Sequence, residues 1–467
     1  EIRHELPHVN WGDLFFDLFY VGVAYNLANI IKNDPSFMGL LYFFGCFGPV
    51  FSNFWLYKML YDARYETPDD VVHRVFEILQ LCILAMATQH IRPVEVMAHG
   101  GPNNPEMFLF CLANLLGGAI ALVSRLEIGF HWVGAGSERG LNAAKVASRT
   151  DAIHMFLSII VTAVATMYAA LVYFDVSSSG GDQDNVAIWI LLAGWLVRTI
   201  IMRYVYKLRG LGGENHKKVS VPMNLEFVIH RYGEWTMLML GESILSLVIV
   251  DDISDAKDSE YYMTFYFGLV SVILLQFVYF KSSPQHAEDH AMRRSSNAAF
   301  LYNFLIQFYS ASLIIVGVSY KMLLTEYTSK YAYEYEDDYK RELGADDGSK
   351  KLSTDERRQR IAWFFCCGLI GTFLFLDMMN LTHTGLKASY EKCHCPTGKT
   401  LRVKGLLFCV LSRICISVCV IILSLQIYYD PKYIALLGLV SVVLQVWIRF
   451  LGTIYFPSAT VSINDHH

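Results

Sequence analysis

The stretch WGDLFFDLFY, residues 11–20, opens the first apolar run of the chain and places two acids, Asp13 and Asp17, inside it. A spacing of four residues puts both carboxylates on one face of a helix. Because a charge in hydrocarbon costs about 3 kcal/mol or more, we expect these acids to face a partner or water inside a helical bundle. Asp13 is also suited to capping the helix start, whereas Asp17 lies one turn deeper.

The composition indicates an integral membrane protein. Of the 467 residues, 54% are hydrophobic and 17% are charged, and the mean hydropathy is +0.35. Soluble domains carry about 25% charged residues. The net charge of -5 does not suggest nucleic-acid binding. We therefore expect contact with the lipid bilayer, a small ion or solute as the candidate ligand, and a fold that is compatible with oligomers.

The apolar residues fall in long runs that predict an all-α, polytopic transmembrane helical bundle of about twelve spans. Lys and Arg concentrate in the connections after the even-numbered spans, so the positive-inside rule places both termini on the cytoplasmic side. The predicted spans are 11–31, 36–59, 70–92, 106–131, 150–174, 185–207, 225–250, 260–281, 297–322, 360–381, 403–428 and 432–456.

The two halves of the chain are weakly alike. Trp11-Gly12-Asp13 begins span one, and Tyr232-Gly233-Glu234 lies near the start of span seven. The matching positions in spans six and twelve hold a Trp followed by an Arg, at 195–198 and 447–449. These matches predict a parallel six-plus-six internal repeat. The predicted parts are a first half at 1–210, an inner linker at 211–224, and a second half at 225–467 with an acidic outer loop at 325–357.

Further charged residues lie inside the predicted spans. His230 and Glu234 share one helical face, and Glu242 is the acid closest to the predicted midplane. We expect Asp13 or Asp17 to pair with Arg198, and Glu234 to pair with Arg449. The alternative is that these groups only form static hydrogen bonds between helices. The candidate ion or proton path comprises Asp13, Asp17, Glu234, Glu242 and His230, with Arg198, Arg449 and Arg125 as counter-charges.

Gly48 and Pro49 lie near the middle of span two. Proline removes a backbone hydrogen bond, so this position predicts either a broken helix whose carbonyls line an ion site or a packing kink. No cofactor motif or nucleophile constellation is present, and we expect neither a cofactor nor an enzymatic activity. Cys393-His394-Cys395 is too short a pattern to predict a metal site.

Two motifs resemble the low temperature requirement A family of multi-pass membrane proteins. Members open with Glu-Leu-Phe-Phe-Asp-Leu-x-Phe-Val, and residues 13–21 read DLFFDLFYV. A second family motif, Glu-Arg-Phe-Gly followed by Leu-Gly-Glu-Ser, is similar to residues 230–233 and 240–243. The chain departs from the family at Lys281, where members tend to be acidic, and at Gln307, where members carry His. The resemblance implies a multi-pass architecture, with altered proton handling if the family uses those groups.

Two hypotheses about function follow from these features. The first is a channel or secondary transporter that moves protons or small ions or solutes along a path with buried acids. The second is a non-transporting structural, partner-binding or lipid-binding subunit whose charges only hold helices together.

Overall fold

The described part of the chain is entirely helical, which confirms the all-α prediction for these residues. The structure is a computed structural model. It describes residues 11–65, 71–98, 104–130, 138–174, 185–211, 223–249, 259–284, 289–343, 354–384, 399–427 and 430–455.

Fifteen α-helices and one π-helix are present in these ranges. The first eight α-helices, with the π-helix between α2 and α3, are α1 (Trp11–Asn33), α2 (Phe37–Val50), the π-helix (Phe51–Leu56), α3 (Tyr57–Asp62), α4 (Val71–Gln89), α5 (Val94–Ala98), α6 (Glu106–Phe130), α7 (Glu138–Tyr173) and α8 (Val186–Leu211). The remaining helices are α9 (Leu225–Val248), α10 (Ser259–Ser282), α11 (Ala291–Arg294), α12 (Ser296–Leu343), α13 (Thr354–Thr384), α14 (Lys399–Ile427) and α15 (Pro431–Tyr455).

Eight helical stretches of the described part are long and apolar enough to cross a membrane, as expected for a multi-pass membrane protein. They are Phe37–Asp62, Val71–Gln89, Glu106–Ile128, Asp151–Tyr173, Ser259–Ser282, Asn297–Glu326, Glu356–His383 and Pro431–Leu451.

The other four predicted spans also correspond to helices. Within the described residues, these helices are not both long and apolar enough to be identified as membrane-crossing. Val186–Ile201 and Leu411–Ser424 are apolar but shorter in the described part. In α1 and α9, polar and charged side chains such as Asp17 and Glu242 interrupt the apolar stretch. The count of twelve spans therefore stays a prediction.

The chain divides into two compact units. Unit 1 comprises Glu1–Leu238 and Met292–Gln307, and unit 2 comprises Met239–Ala291 and Phe308–His467. The three unit boundaries fall within α9, α11 and α12. Most of the predicted inner linker at 211–224 lies outside the described residues, and the predicted halves stay a prediction.

Large aromatic side chains fill the core of unit 1 next to α1. The ring centroid of Trp235 lies 4.5 Å from that of Trp55, 5.0 Å from that of Phe51 and 5.1 Å from that of Tyr20. In α1, Phe16 and Tyr20 are four residues apart and therefore share the buried face, whereas Phe15 is exposed. This face also carries Asp17 into the core.

Small residues allow the helices of unit 2 to pack closely. A Cβ added to Gly317 of α12 would lie 2.8 Å from the Cα of Ser243 in α9, which is too close for two carbon atoms. Gly368 of α13 meets the backbone of Val316 in the same way, at 3.1 Å from its amide nitrogen. Elsewhere in unit 2, α10 packs on α15, and α14 packs on α13 and α15.

The helix around Pro49 is not broken. α2 continues through the π-helix into α3, and a widened turn of this kind accommodates a residue that cannot donate a backbone hydrogen bond. The Ser52 hydroxyl donates to the Gly48 carbonyl oxygen at 2.6 Å. A side chain at Gly48 would meet the indole of Trp195, so the glycine permits close packing with α8. The expectation of a broken helix is therefore wrong, and the packing alternative fits.

The predicted outer loop at 325–357 is largely helical. α12 extends to Leu343 and α13 begins at Thr354, and residues 344–353 lie outside the described part. The expectation of a loop followed from the charge and tyrosine content, but charged residues are also compatible with a helix that is exposed to water.

Candidate functional site

Asp17 lies in a fully paired charge cluster of unit 1. The side chain is 3% exposed, and the Arg231 guanidinium binds both of its oxygens, with Nη1 at 2.7 Å from Oδ2 and Nη2 at 2.9 Å from Oδ1. The indole nitrogen of Trp55 donates to Oδ1 at 3.2 Å. A two-pronged arginine–carboxylate pair of this kind is both strong and directional.

The same arginine reaches a second carboxylate. Arg231 Nη1 lies 2.8 Å from Glu234 Oε2, and the other oxygen of Glu234 lies 3.0 Å from His230 Nε2. His230 is half exposed, whereas Glu234 is largely covered. The cluster therefore joins a buried aspartate to an exposed imidazole through one arginine and one glutamate.

The predicted partner of Asp17 is wrong. Asp17 pairs with Arg231, whereas Arg198 donates to the Ser52 hydroxyl at 3.0 Å and to the Asn53 side-chain oxygen. Arg231 belongs to the sequence motif at 230–233, but the sequence does not show which way its side chain points. The side chain of Asp13 lies outside the described part.

Arg125 is buried beside tyrosines of α3. It donates to the Tyr57 carbonyl oxygen at 3.0 Å, and its Cζ lies 4.5 Å from the ring centroid of Tyr61. A cation above an aromatic face is attracted by the ring. This predicted counter-charge thus contacts tyrosines of α3 rather than Asp17.

Among the described residues of unit 2, Glu242 is the most deeply buried acid, at 1% exposure. The Ser246 hydroxyl donates to Oε1 at 3.0 Å, whereas Oε2 has no hydrogen-bond partner among the described residues. Lys321 of α12 is also buried and attracts Glu242 electrostatically. Beside it, Ser243 contacts the Leu313 carbonyl oxygen at 3.3 Å, which fixes the contact between α9 and α12.

Arg449 belongs to a separate ionic group of unit 2. Its Nη2 lies 2.7 Å from Asp377 Oδ1, and Arg413 Nη1 lies 2.7 Å from the same oxygen. Gln445 and Ser282 accept further hydrogen bonds from Arg449, at 2.6 and 2.9 Å. The expected pairing of Glu234 with Arg449 is therefore replaced by a different partner for each residue.

The two residues at which the chain departs from the family motifs, Gln307 and Lys281, have different surroundings. Gln307 accepts a hydrogen bond from the Trp195 indole at 2.8 Å and donates to the Asn303 carbonyl oxygen at 2.9 Å. Lys281 lies at the end of α10, with Nζ 5.7 Å from the Phe277 ring centroid. Gln307 thus has a structural role in unit 1 that uses both ends of its amide.

No group of three or more His, Cys, Asp or Glu side chains that could hold a metal ion occurs in the described ranges. Cys393, His394 and Cys395 lie outside those ranges.

Comparison with known proteins supports the interpretation of the two motifs. The family model described as bacterial low temperature requirement A protein matches residues 8–447. No curated protein and no solved structure matches the chain.

Proposed function

The chain belongs to the low temperature requirement A family, and we propose that it is a channel or secondary transporter for protons or small ions, with Glu242 as the exchangeable acid. One observation carries this proposal: a buried carboxyl group has one oxygen bonded to Ser246 and the other without a hydrogen-bond partner among the described residues. Such an oxygen can take up a proton, or contact a cation, while the Ser246 bond persists. Intramembrane acids of this kind are functional sites by default.

The buried Lys321 fits the same role. Its charge offsets that of an ionised Glu242, so a proton that binds Glu242 removes this attraction between the two residues. A charge change at one residue is thereby felt on another helix, which is the type of event that can bias a conformational equilibrium.

We propose that His230 and Glu234 pass protons between water and the Asp17 cluster. The half-exposed His230 imidazole lies 3.0 Å from Glu234, and histidine side chains commonly serve as proton shuttles in proteins. Asp17 and Arg231 hold this cluster in place, while Asp13 remains a proposed member of the path.

Purified full-length protein in liposomes tests the transport proposal. Flux of protons, sodium, potassium and chloride is measured under pH and voltage gradients for wild type, Glu242→Gln and Glu226→Gln. Glu226 lies on the same helix but is exposed, so it controls for the loss of one acid. We expect Glu242→Gln to abolish flux and Glu226→Gln to retain it.

A non-transporting structural subunit is the second candidate. The fully paired Asp17, with Arg231 on both oxygens, favours this alternative for unit 1. No flux of any of these ions in folded wild-type protein would support it and contradict the transport proposal.

For the topology, we propose twelve spans that form a parallel six-plus-six repeat with both termini in the cytoplasm. The eight apolar helices and the further helices at the four remaining predicted positions support this count. We propose neither a catalytic activity nor a cofactor.

A further inference from the structure

Arg198 is a buried cation with neutral partners. It is 7% exposed. Its Nη1 donates to Ser52 Oγ at 3.0 Å and to the Asn53 side-chain oxygen, and its Nη2 donates to the Ser52 carbonyl oxygen at 3.0 Å. The Tyr57 ring centroid lies 4.2 Å from Cζ. These groups orient the guanidinium but do not neutralise its charge.

No carboxylate of the described part lies within ion-pair distance of Arg198, whereas Arg231 of the same unit contacts two. Arginine does not lose its proton in proteins, so the charge cannot be relieved by deprotonation. A buried charge without an opposite charge nearby is strongly unfavourable. Among the described residues, the requirement of Arg198 for a negative charge is therefore unmet.

Arg198 borders a small cavity in which a bound anion would provide the missing counter-charge. The cavity has a volume of about 30 Å³ and lies entirely within unit 1. Its polar lining comprises Ser52, Arg198, Thr199, Asn303 and Gln307, and its apolar lining comprises Leu56, Leu60, Phe300 and Phe304. This volume exceeds the minimum for one water molecule and has room for one small ion.

Asn303 adds a second donor to this cavity. Its side-chain oxygen accepts a hydrogen bond from the Tyr232 hydroxyl. The side-chain amide nitrogen of Asn303 therefore points away from the Tyr232 hydroxyl, and it donates no hydrogen bond within the described part. Gln307, by contrast, uses both ends of its amide.

We propose that this cavity binds a small monovalent inorganic anion, such as chloride or nitrate, between the Arg198 guanidinium and the Asn303 amide. The apolar walls lower the local dielectric and strengthen the attraction between the ion and the guanidinium. The proposal does not depend on transport, because binding at equilibrium stabilises the folded protein whether or not an ion crosses the membrane.

Thermal unfolding of the purified full chain in detergent tests the site. Sodium chloride or sodium nitrate replaces sodium gluconate at constant ionic strength, because gluconate is too large for the cavity. We expect the Tm of wild type to rise saturably with chloride and with nitrate. The rise should vanish in Arg198→Gln and persist in Arg125→Gln, which removes a buried arginine outside the cavity.

Asn303→Asp keeps the test decisive if Arg198→Gln does not fold. This isosteric change retains the acceptor for Tyr232 and places a carboxylate in the lining of the cavity that Arg198 borders. We expect a Tm in gluconate at or above that of wild type, together with loss of the chloride and nitrate effect. A wild-type Tm that is indifferent to both anions, or an equal rise in wild type and Asn303→Asp, would overturn the proposal.

Discussion

At the scale of single residues, the difference between Asp17 and Glu242 is one of pairing. Both carboxyl groups are buried, but Arg231 and Trp55 use both oxygens of Asp17, whereas one oxygen of Glu242 has no hydrogen-bond partner in the described part. A paired acid stabilises a fixed arrangement of helices, and an unsatisfied one is suited to exchange. The two residues therefore call for different measurements, stability for Asp17 and flux for Glu242.

Breaking the Asp17–Arg231 pair from one side should destabilise the protein strongly. We expect Arg231→Gln to lower the free energy of unfolding by about 3 kcal/mol or more, because it leaves the buried Asp17 carboxylate without its counter-charge. Asp17→Asn should lower it by less, because Arg231 still contacts Glu234 at 2.8 Å. The double variant should lose less than the sum. Denaturant unfolding in detergent measures all three.

Arg74→Gln is the matched control for this cycle. Arg74 is 47% exposed in its ion pair with Glu77, and exposed pairs contribute about 0–1 kcal/mol. Strict additivity of the two buried substitutions would contradict direct coupling between Asp17 and Arg231.

His290 should make stability depend on pH. It lies between two membrane-crossing helices, and burial lowers the pKa of its imidazole from 6.5 to about 4. The imidazole is therefore protonated below about pH 6.5 in the unfolded chain but only below about pH 4 in the folded chain. The contribution of His290 to the free energy of unfolding is therefore constant above pH 6.5. It falls as the pH drops toward 4, by about 2 kcal/mol at pH 5. We expect His290→Gln to flatten the pH dependence of Tm between pH 8 and pH 5; an unchanged slope would contradict the assignment.

The sequence predicts the depth of these acids but not their partners. Asp17 and Glu242 stand out because each interrupts an apolar stretch, and both are buried as expected. Arg231 directly follows His230 in the chain, but the pattern of charges favours Arg198, and not Arg231, as the partner of Asp17. Helical spacing defines which side chains share a face, whereas pairing depends on the rotation and neighbours of each helix, which hydropathy does not encode.

At the scale of elements, close helix contacts depend on single glycines. The helix around Pro49 is likewise not broken: α2 continues directly into the π-helix at Phe51–Leu56, and Gly48 packs on Trp195. Sequence could identify the unusual residues but not choose between a break and a kink, because that choice depends on the helix that packs there.

Gly317→Ala should loosen the contact between α9 and α12. The added Cβ would lie 2.8 Å from the Cα of Ser243, so the backbones must separate. Overpacking of this kind costs about 1–3 kcal/mol. Gly241→Ala is the control, since a Cβ there meets nothing within 4 Å, and replacing a helical glycine by alanine stabilises by about 0.5–1 kcal/mol. Thermal unfolding should move in opposite directions for the two variants, and a shift in the same direction would contradict the close approach.

At the scale of the whole molecule, composition predicted a multi-pass membrane protein, and the family match and the eight apolar helices agree with it. The span count is harder to obtain from the sequence, because α1 and α9 carry the very charges that make them candidates for function. Charged residues lower the hydropathy score of a stretch that is nevertheless long enough to cross a membrane.

The proposed topology has an even number of spans and predicts that both termini lie on the cytoplasmic side. Epitope tags at the two ends should both be inaccessible in intact cells and become accessible after the membrane is permeabilised. Accessibility of only one tag in intact cells would require an odd number of spans and contradict the proposed count of twelve.

The decisive measurement for the role of Glu242 is proton flux into liposomes, compared between wild type and Glu242→Gln at matched incorporation. We expect flux that requires the Glu242 carboxyl group and persists in Glu226→Gln. Proton flux that is unchanged in Glu242→Gln would contradict this role.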